Sequence, residues 1–205
     1  KKIKLIIFFV LNLILSFTVL KIFGKITLTS TILLAASFYL FFITFKDLLK
    51  KSFKNNSQII SHFGFSLLIL SIIMNSILSK EVIINLKVGE QINFLENTIK
   101  FKKVESSLKS NFQTLVGYFE IHNKDNKKFL FKPEIRIYNQ PEVITSEADI
   151  KTNFFKDRFL VINLVKGENY FNVRYQEKPL MIWIWFSTIL IAIGGSVSFL
   201  KRYEK

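Results

Sequence analysis

Residues 57–77 read SQIISHFGFSLLILSIIMNSI, an apolar run that carries one imidazole, His62, near its start. At 1.5 Å per residue such a helix crosses about 30 Å of hydrocarbon. Three further windows have the same character: Leu5–Phe23, Ile26–Phe45 and Pro179–Leu200. None alternates strictly between apolar and polar, and an isolated strand in lipid would leave its backbone groups unpaired, so all four are read as transmembrane helices. The first window, preceded by Lys1, Lys2 and Lys4, also resembles a signal peptide. It ends in Leu20-Lys21-Ile22-Phe23-Gly24 with no small-x-small cleavage pair, and a second span follows at once. It is read as a retained helix.

The charges are explained by these spans. The 205 residues hold 29 Lys and Arg against 15 Asp and Glu, a net +14. Basic residues concentrate in short cytoplasmic segments of membrane proteins. The N-terminus offers Lys1, Lys2 and Lys4; the loop after the second span offers Lys46, Lys50, Lys51 and Lys54 against Asp47; the tail offers Lys201, Arg202 and Lys205 against Glu204. With four spans all three segments fall on one side, carrying +8 of the +14 and placing both termini in the cytoplasm. Lys21 and Lys25, on the other side, can snorkel to the interface. No basic patch interleaved with stacking aromatics remains, so nucleic acid is not an expected partner. The absence of cysteine excludes disulfides, thiolate metal sites and a cysteine nucleophile, and two histidines leave little for a metal cage.

Between the third and fourth spans lies a polar segment, residues 80–178, with 17 basic and 13 acidic groups. Its β-branched and aromatic stretches predict strands at Glu81–Leu86, Gln91–Phe94, Thr98–Val104, Gln113–His122, Lys127–Arg136, Phe159–Val165 and Tyr170–Tyr175. Turn cues separate them: Val88-Gly89-Glu90, Asn123-Lys124-Asp125-Asn126 and Lys166-Gly167-Glu168-Asn169. About 100 residues suffice for one independent core. The expected fold is an α-helical polytopic membrane protein of four helices with one all-β extracytoplasmic domain inserted between the third and fourth. The expected domains are 1–56, two helices and a basic loop; 57–79, the His-containing helix; 80–178, the β domain; and 179–205, the last helix and basic tail. The β segment contains no Gly-rich phosphate loop, carboxylate pair or Ser/His/Asp order, so no catalytic residue is expected in it. His122 closes a strand before a polar turn and is read as a bystander. Pro133–Tyr138, with Arg136 and Tyr138, is read either as a docking strand or as an edge strand with cross-strand charge pairs.

His62 stands about one and a half turns inside its span, too deep for the headgroups. Ionisable groups at that depth face a bundle interior, a water path or a cofactor. Ser66 follows one turn later, and Ser61 and Gly64 thin the neighbouring surface, leaving room for a flat ligand or for close packing of another helix. Two readings stay open: a hydrogen bond to a neighbouring helix, or ligation, with haem the membrane cofactor most often held by imidazole; a proton relay competes, but the spans hold no Asp or Glu to continue one. One histidine supplies one axial ligand, so a bis-histidine haem needs a helix from outside this chain. Trp183 and Trp185 open the fourth span where an aromatic belt is expected, and Gly194-Gly195 allow close helix packing.

SHFGFSLLIL (61–70), PEIRIYNQPEVITSEADI (133–150), FKDRFLV (155–161) and above all NVRYQEKPLMIWIWFSTILIAIGGSVSFLKRY (172–203) resemble the C-terminal part of the CcmF family, the haem lyases of bacterial cytochrome c maturation. The resemblance runs from about Ile59 onward; the first two spans contribute only hydropathy. It implies that haem passes from a membrane-anchored haem chaperone to the CxxCH cysteines of apocytochrome c, brought by its delivery factors, on the periplasmic face of the bacterial inner membrane. It implies that His62 is an axial ligand to the iron of an intramembrane haem b. The family's tryptophan-rich segment, its two periplasmic haem-ligating histidines and its other transmembrane histidine all lie upstream of the present residues. With Lys at position 1, the chain is therefore expected to be part of a longer protein or one half of a split lyase, inactive alone and dependent on its upstream half and on lipid. The rival from another class is a non-catalytic scaffold or accessory subunit whose β domain recruits a partner and whose His62 merely packs. A transporter half is a weaker third reading, since no span carries an internal Pro or an acidic coupling residue.

Overall fold

The computed structural model describes residues 2–23, 26–49, 56–124, 127–165 and 167–203. Four long helices form: α1 (Lys2–Phe23), α2 (Leu28–Leu49), α3 (Asn56–Leu78) and α4 (Met181–Tyr203). Each is long and apolar enough to span a bilayer, and a β-sandwich is inserted between α3 and α4. The fourth span starts later than its hydropathy suggests. Pro179 ends a strand, and Leu180, at φ 61°, turns the chain into α4. Of the basic residues that set the expected orientation, Lys1, Lys25, Lys50, Lys51, Lys54 and Lys205 lie outside the described residues, as does Glu204. The side chains of Lys2, Lys201 and Arg202 do too.

The helices contact one another in chain order, α1 on α2, α2 on α3 and α3 on α4. Small and polar residues occupy the seams, as expected where lipid is as apolar as leucine and association rests on close packing. On α1 the buried Asn12 and Ser16 give their hydrogens back to the carbonyls of Phe8 and Asn12, at 2.8 Å each. On α2 the buried positions are Leu34, Ala35, Ser37 and Thr44. Outward faces are apolar: Ile6, Leu11 and Ile14 on α1, Ile189 and Ile193 on α4.

Among the described residues, ten strands build the sandwich. β1 (Lys80–Leu86), β10 (Phe171–Pro179), β9 (Lys156–Leu164) and β8 (Asp149–Thr152) form one sheet in that order. The second runs β2 (Gln91–Phe94), β3 (Asn97–Leu108), β4 (Phe112–Asn123), β6 (Glu134–Asn139), β7 (Glu142–Glu147), with β5 (Lys128–Phe131) also paired to β4. Alternation sends every second side chain inward. Leu86, Leu160, Ile162, Val173 and Tyr175 of the first sheet meet Ile99, Phe101, Phe119, Ile121, Phe131 and Ile135 of the second. Phe101 and Phe119, directly opposed in register, stack at 4.2 Å. Gly117 makes room for them: a Cβ there would lie 2.9 Å from both Phe119 and Ile162. Gly89, at φ 95°, makes the predicted turn after β1.

Two differences from the sequence expectation have physical causes. The stretch Lys127–Arg136 is two strands, because Pro133 has no N–H for the ladder and offers its carbonyl to Gly117 N at 3.0 Å. β7 and β8 carry weak apolar alternation because both are edge strands, half in solvent. Asp125, Asn126 and Lys166, within two of the expected turns, lie outside the described residues.

Candidate functional site

α3 divides its faces by residue size. Gly64 is buried against α4, where a Cβ would stand 3.0 Å from the Cβ of Leu190 and 3.1 Å from Ile191. The reciprocal contact is tighter: a Cβ on Gly194 would lie 2.8 Å from both Ser57 O and Ser61 N and would collide with Ser61 Oγ. Ser66, also buried, shares a 2.6 Å hydroxyl contact with Thr44 of α2 and donates to Phe63 O at 2.8 Å. The small residues around His62 are therefore used by helix packing, and they do not open a slot for a flat ligand beside the imidazole. Gly195, by contrast, has nothing within 4 Å of a would-be Cβ. Gly194→Ala should accordingly lower stability in detergent by about 1–3 kcal/mol through overpacking against backbone. Gly195→Ala should leave the thermal midpoint unchanged or slightly raised, since alanine favours helix.

His62 points the other way. It is exposed, together with Gln58, Phe65, Ile72 and Ser76. The 4-3-7-4 spacing of these residues makes one stripe along α3. Neither α2 nor α4 covers that stripe, so an ionisable side chain sits on an uncovered face of the helix between Gln58 and Phe65. Ionisable side chains within spans usually face a bundle interior or a water-filled cavity. Its imidazole is sterically open to an incoming group. Among the described residues no cluster of three His, Asp, Glu or Cys forms a metal cage, so a metal at His62 would draw its other ligands from elsewhere.

The remaining expected site residues fall in two places. Arg136 lies on β6, between β4 and β7, so this segment is an interior strand, not an edge. Its guanidinium holds Glu134 at 3.2 Å and reaches Glu147 at 3.9 Å, joining two carboxylates that the register places directly opposite one another. It also lies over the Phe112 ring, which packs on Tyr138 with centroids 5.1 Å apart. The charges of this stretch are thus met within the sheet. Ser146 Oγ donates to Asn163 Oδ1 at 2.7 Å, and Asp157 is buried, its carboxyl raised above the usual range by desolvation. His122 is exposed near the end of β4, 3.7 Å from Glu120. Lys128 and Lys102 hold that carboxyl down to about 2.

Trp183 and Trp185 occupy the first two turns of α4. Trp183 donates its indole N–H to Phe154 O at 3.1 Å and packs edge-on against the Phe154 ring at 4.7 Å. Trp185 faces outward, 65% exposed. The Phe154 partnership was not foreseen; its signal is a Phe-Phe pair in a polar turn, where alternation does not explain two adjacent aromatics.

A family model described as the CcmF C-terminal beta-sandwich matches residues 77–179. A cytochrome c-type biogenesis protein CcmF of Pseudomonas fluorescens is 26% identical over 143 residues, covering 70% of this chain and 22% of that protein. The biogenesis protein NrfE of Haemophilus influenzae is 23% identical over 177 residues, 85% of this chain and 28% of the relative. The biogenesis protein ccl1 of Rhodobacter capsulatus is 32% identical over 116 residues, 57% of this chain and 18% of the relative. Among solved structures, a cytochrome c haem lyase CcmF superposes with a TM-score of 0.74 at 15% identity, covering 95% of this chain and 33% of that one. The chain thus spans between about a fifth and a third of the proteins it matches.

Proposed function

The chain belongs to the CcmF family, and from that premise we propose that it forms the C-terminal part of a haem lyase acting in cytochrome c maturation. In this reading haem is the cargo. It passes from a haem chaperone to the two cysteines of a CxxCH segment in apocytochrome c, and this chain, which has no cysteine, supplies no thiol of its own. The sandwich contributes to the periplasmic platform on which chaperone, apocytochrome and its delivery factors meet, and the basic segments keep both termini in the cytoplasm.

The observation that carries the reading is His62 on the uncovered stripe of α3. We assign it as one axial ligand of an intramembrane haem b, with the second ligand on a helix of the upstream half. Such a haem, when bound, would supply one-electron chemistry through its iron. The part played by this chain is positional. α3 is locked on one side by Gly194 against Ser57 and Ser61 and on another by the Ser66–Thr44 contact, so the helix presents His62 at a fixed angle.

The test is co-expression with the upstream polypeptide in cells lacking their own lyase, with a CxxCH reporter cytochrome read by in-gel haem peroxidase activity. Covalent haem should appear with both polypeptides and be absent with either alone. Equal holocytochrome with and without this chain would contradict the proposal and favour the scaffold reading.

A further inference from the structure

The turn between β8 and β9, Asn153-Phe154-Phe155-Lys156, groups with the helices and not with the strands it joins. Its shape is set locally: Asn153 Oδ1 accepts from the backbone N–H of Phe155 at 2.9 Å and of Lys156 at 2.8 Å. It is also tied to the start of α4. Leu180 N donates to Phe155 O at 2.8 Å, and the indole of Trp183 donates to Phe154 O. Both backbone carbonyls that the phenylalanines would otherwise carry into an apolar layer are thereby satisfied, which removes the main cost of placing a turn there.

The two side chains are then left outward. Phe155 is 70% exposed and Phe154 56%, an unusual outlay for adjacent aromatics in a short polar turn. Phe154, Ile182, Trp183 and Phe186 line an apolar cavity of about 210 Å³ beside them. What covers this surface is indicated by its continuity with α4. The turn lies level with the first residues of a span that runs Met181–Leu200, the depth at which tryptophan marks the boundary between hydrocarbon and headgroups. Trp185, two residues after Trp183 and about 200° around the helix, marks that depth on the opposite flank.

We propose that Phe154 and Phe155 form an interfacial membrane anchor, seated among lipid carbonyls and the first acyl methylenes, with the cavity beside Trp183 taking an acyl segment. The occupant is bilayer lipid. This inference needs only that α4 spans the membrane, and it stands apart from the assignment of His62.

The absence of native cysteine makes the test direct. A nitroxide at Phe155→Cys is compared, in phosphatidylcholine vesicles, with labels at Ile182→Cys on α4 and Leu108→Cys, an 82% exposed residue of the sandwich. Collision rates with oxygen, which concentrates in lipid, and with a water-soluble nickel chelate give the depth of each label. The hydrogen bonds that shape the turn run through backbone and Asn153, so replacing the Phe155 side chain leaves them in place. The Phe155 label should match Ile182, with a several-fold higher oxygen-to-nickel ratio than Leu108. A Phe155 label as open to nickel as the one at Leu108 overturns the proposal and points to a protein partner for the two rings. A second label at Phe154→Cys reads the same depth independently, and its agreement with the Leu108 value would overturn the proposal equally.

Discussion

Arg158→Ala is expected to destabilise the sandwich by about 3–5 kcal/mol, the usual cost of leaving one half of a buried ion pair alone. Arg158 and Glu177 are 5% and 8% exposed, and Arg158 Nε donates to Glu177 Oε1 at 3.3 Å. That same oxygen accepts from Tyr175 Oη at 2.9 Å and from Asn97 Nδ2 at 3.1 Å. The guanidinium lies over the Phe129 ring at 4.4 Å. Arg158, Tyr175 and Glu177 come from β9 and β10, Asn97 and Phe129 from β3 and β5, so one carboxylate stitches the two sheets together. Burial and the Glu177 charge push the Tyr175 phenol far above its ordinary range, so it remains a donor at any working pH. Without Arg158 the carboxylate keeps two neutral donors in an apolar surround. For a unit of about 100 residues, the loss corresponds to a fall in midpoint of at least about 12 °C. Circular dichroism of the strand signal in detergent measures it. The double change Arg158→Met with Glu177→Gln should cost markedly less, because no unpaired charge remains; equal losses in the two variants would mean that the charges matter less than the packing.

How much of this was legible in the sequence depends on which physical signal each part leaves. The four helices announce themselves because lipid demands long apolar runs, and their ends were read to within a few residues. The fourth begins two residues after its expected window, because Pro179 still belongs to a strand and Leu180 turns the chain. Strands with a buried face, such as β4 and β10, were found; the polar edge strands β7 and β8 were not, since their inner face is shallow. The neighbours of His62 were legible as small residues, but the direction each faces was not. Ser61, Gly64 and Ser66 lie within a turn of the imidazole in sequence, yet they serve α4 and α2. Only packing distinguishes a groove for a ligand from a seat for a helix. That Arg158 and Glu177 pair was not legible, because they sit 19 residues apart and meet only when β9 and β10 lie side by side.

The largest functional effect is expected at His62. On α3 it is the titratable member of the uncovered stripe, with Gln58 a turn before and Phe65 a turn after. Alanine there removes an imidazole that contributes nothing to the Gly194–Ser61 or Ser66–Thr44 contacts, so the bundle should keep its thermal midpoint. A packing histidine would instead lose stability on removal and leave the pigment untouched. The two polypeptides, co-expressed and purified together, should show a b-type band in the reduced-minus-oxidised spectrum that is absent, or reduced at least tenfold, in His62→Ala at equal protein. A b-type band of unchanged position and intensity in His62→Ala would contradict the assignment of His62 as a haem ligand.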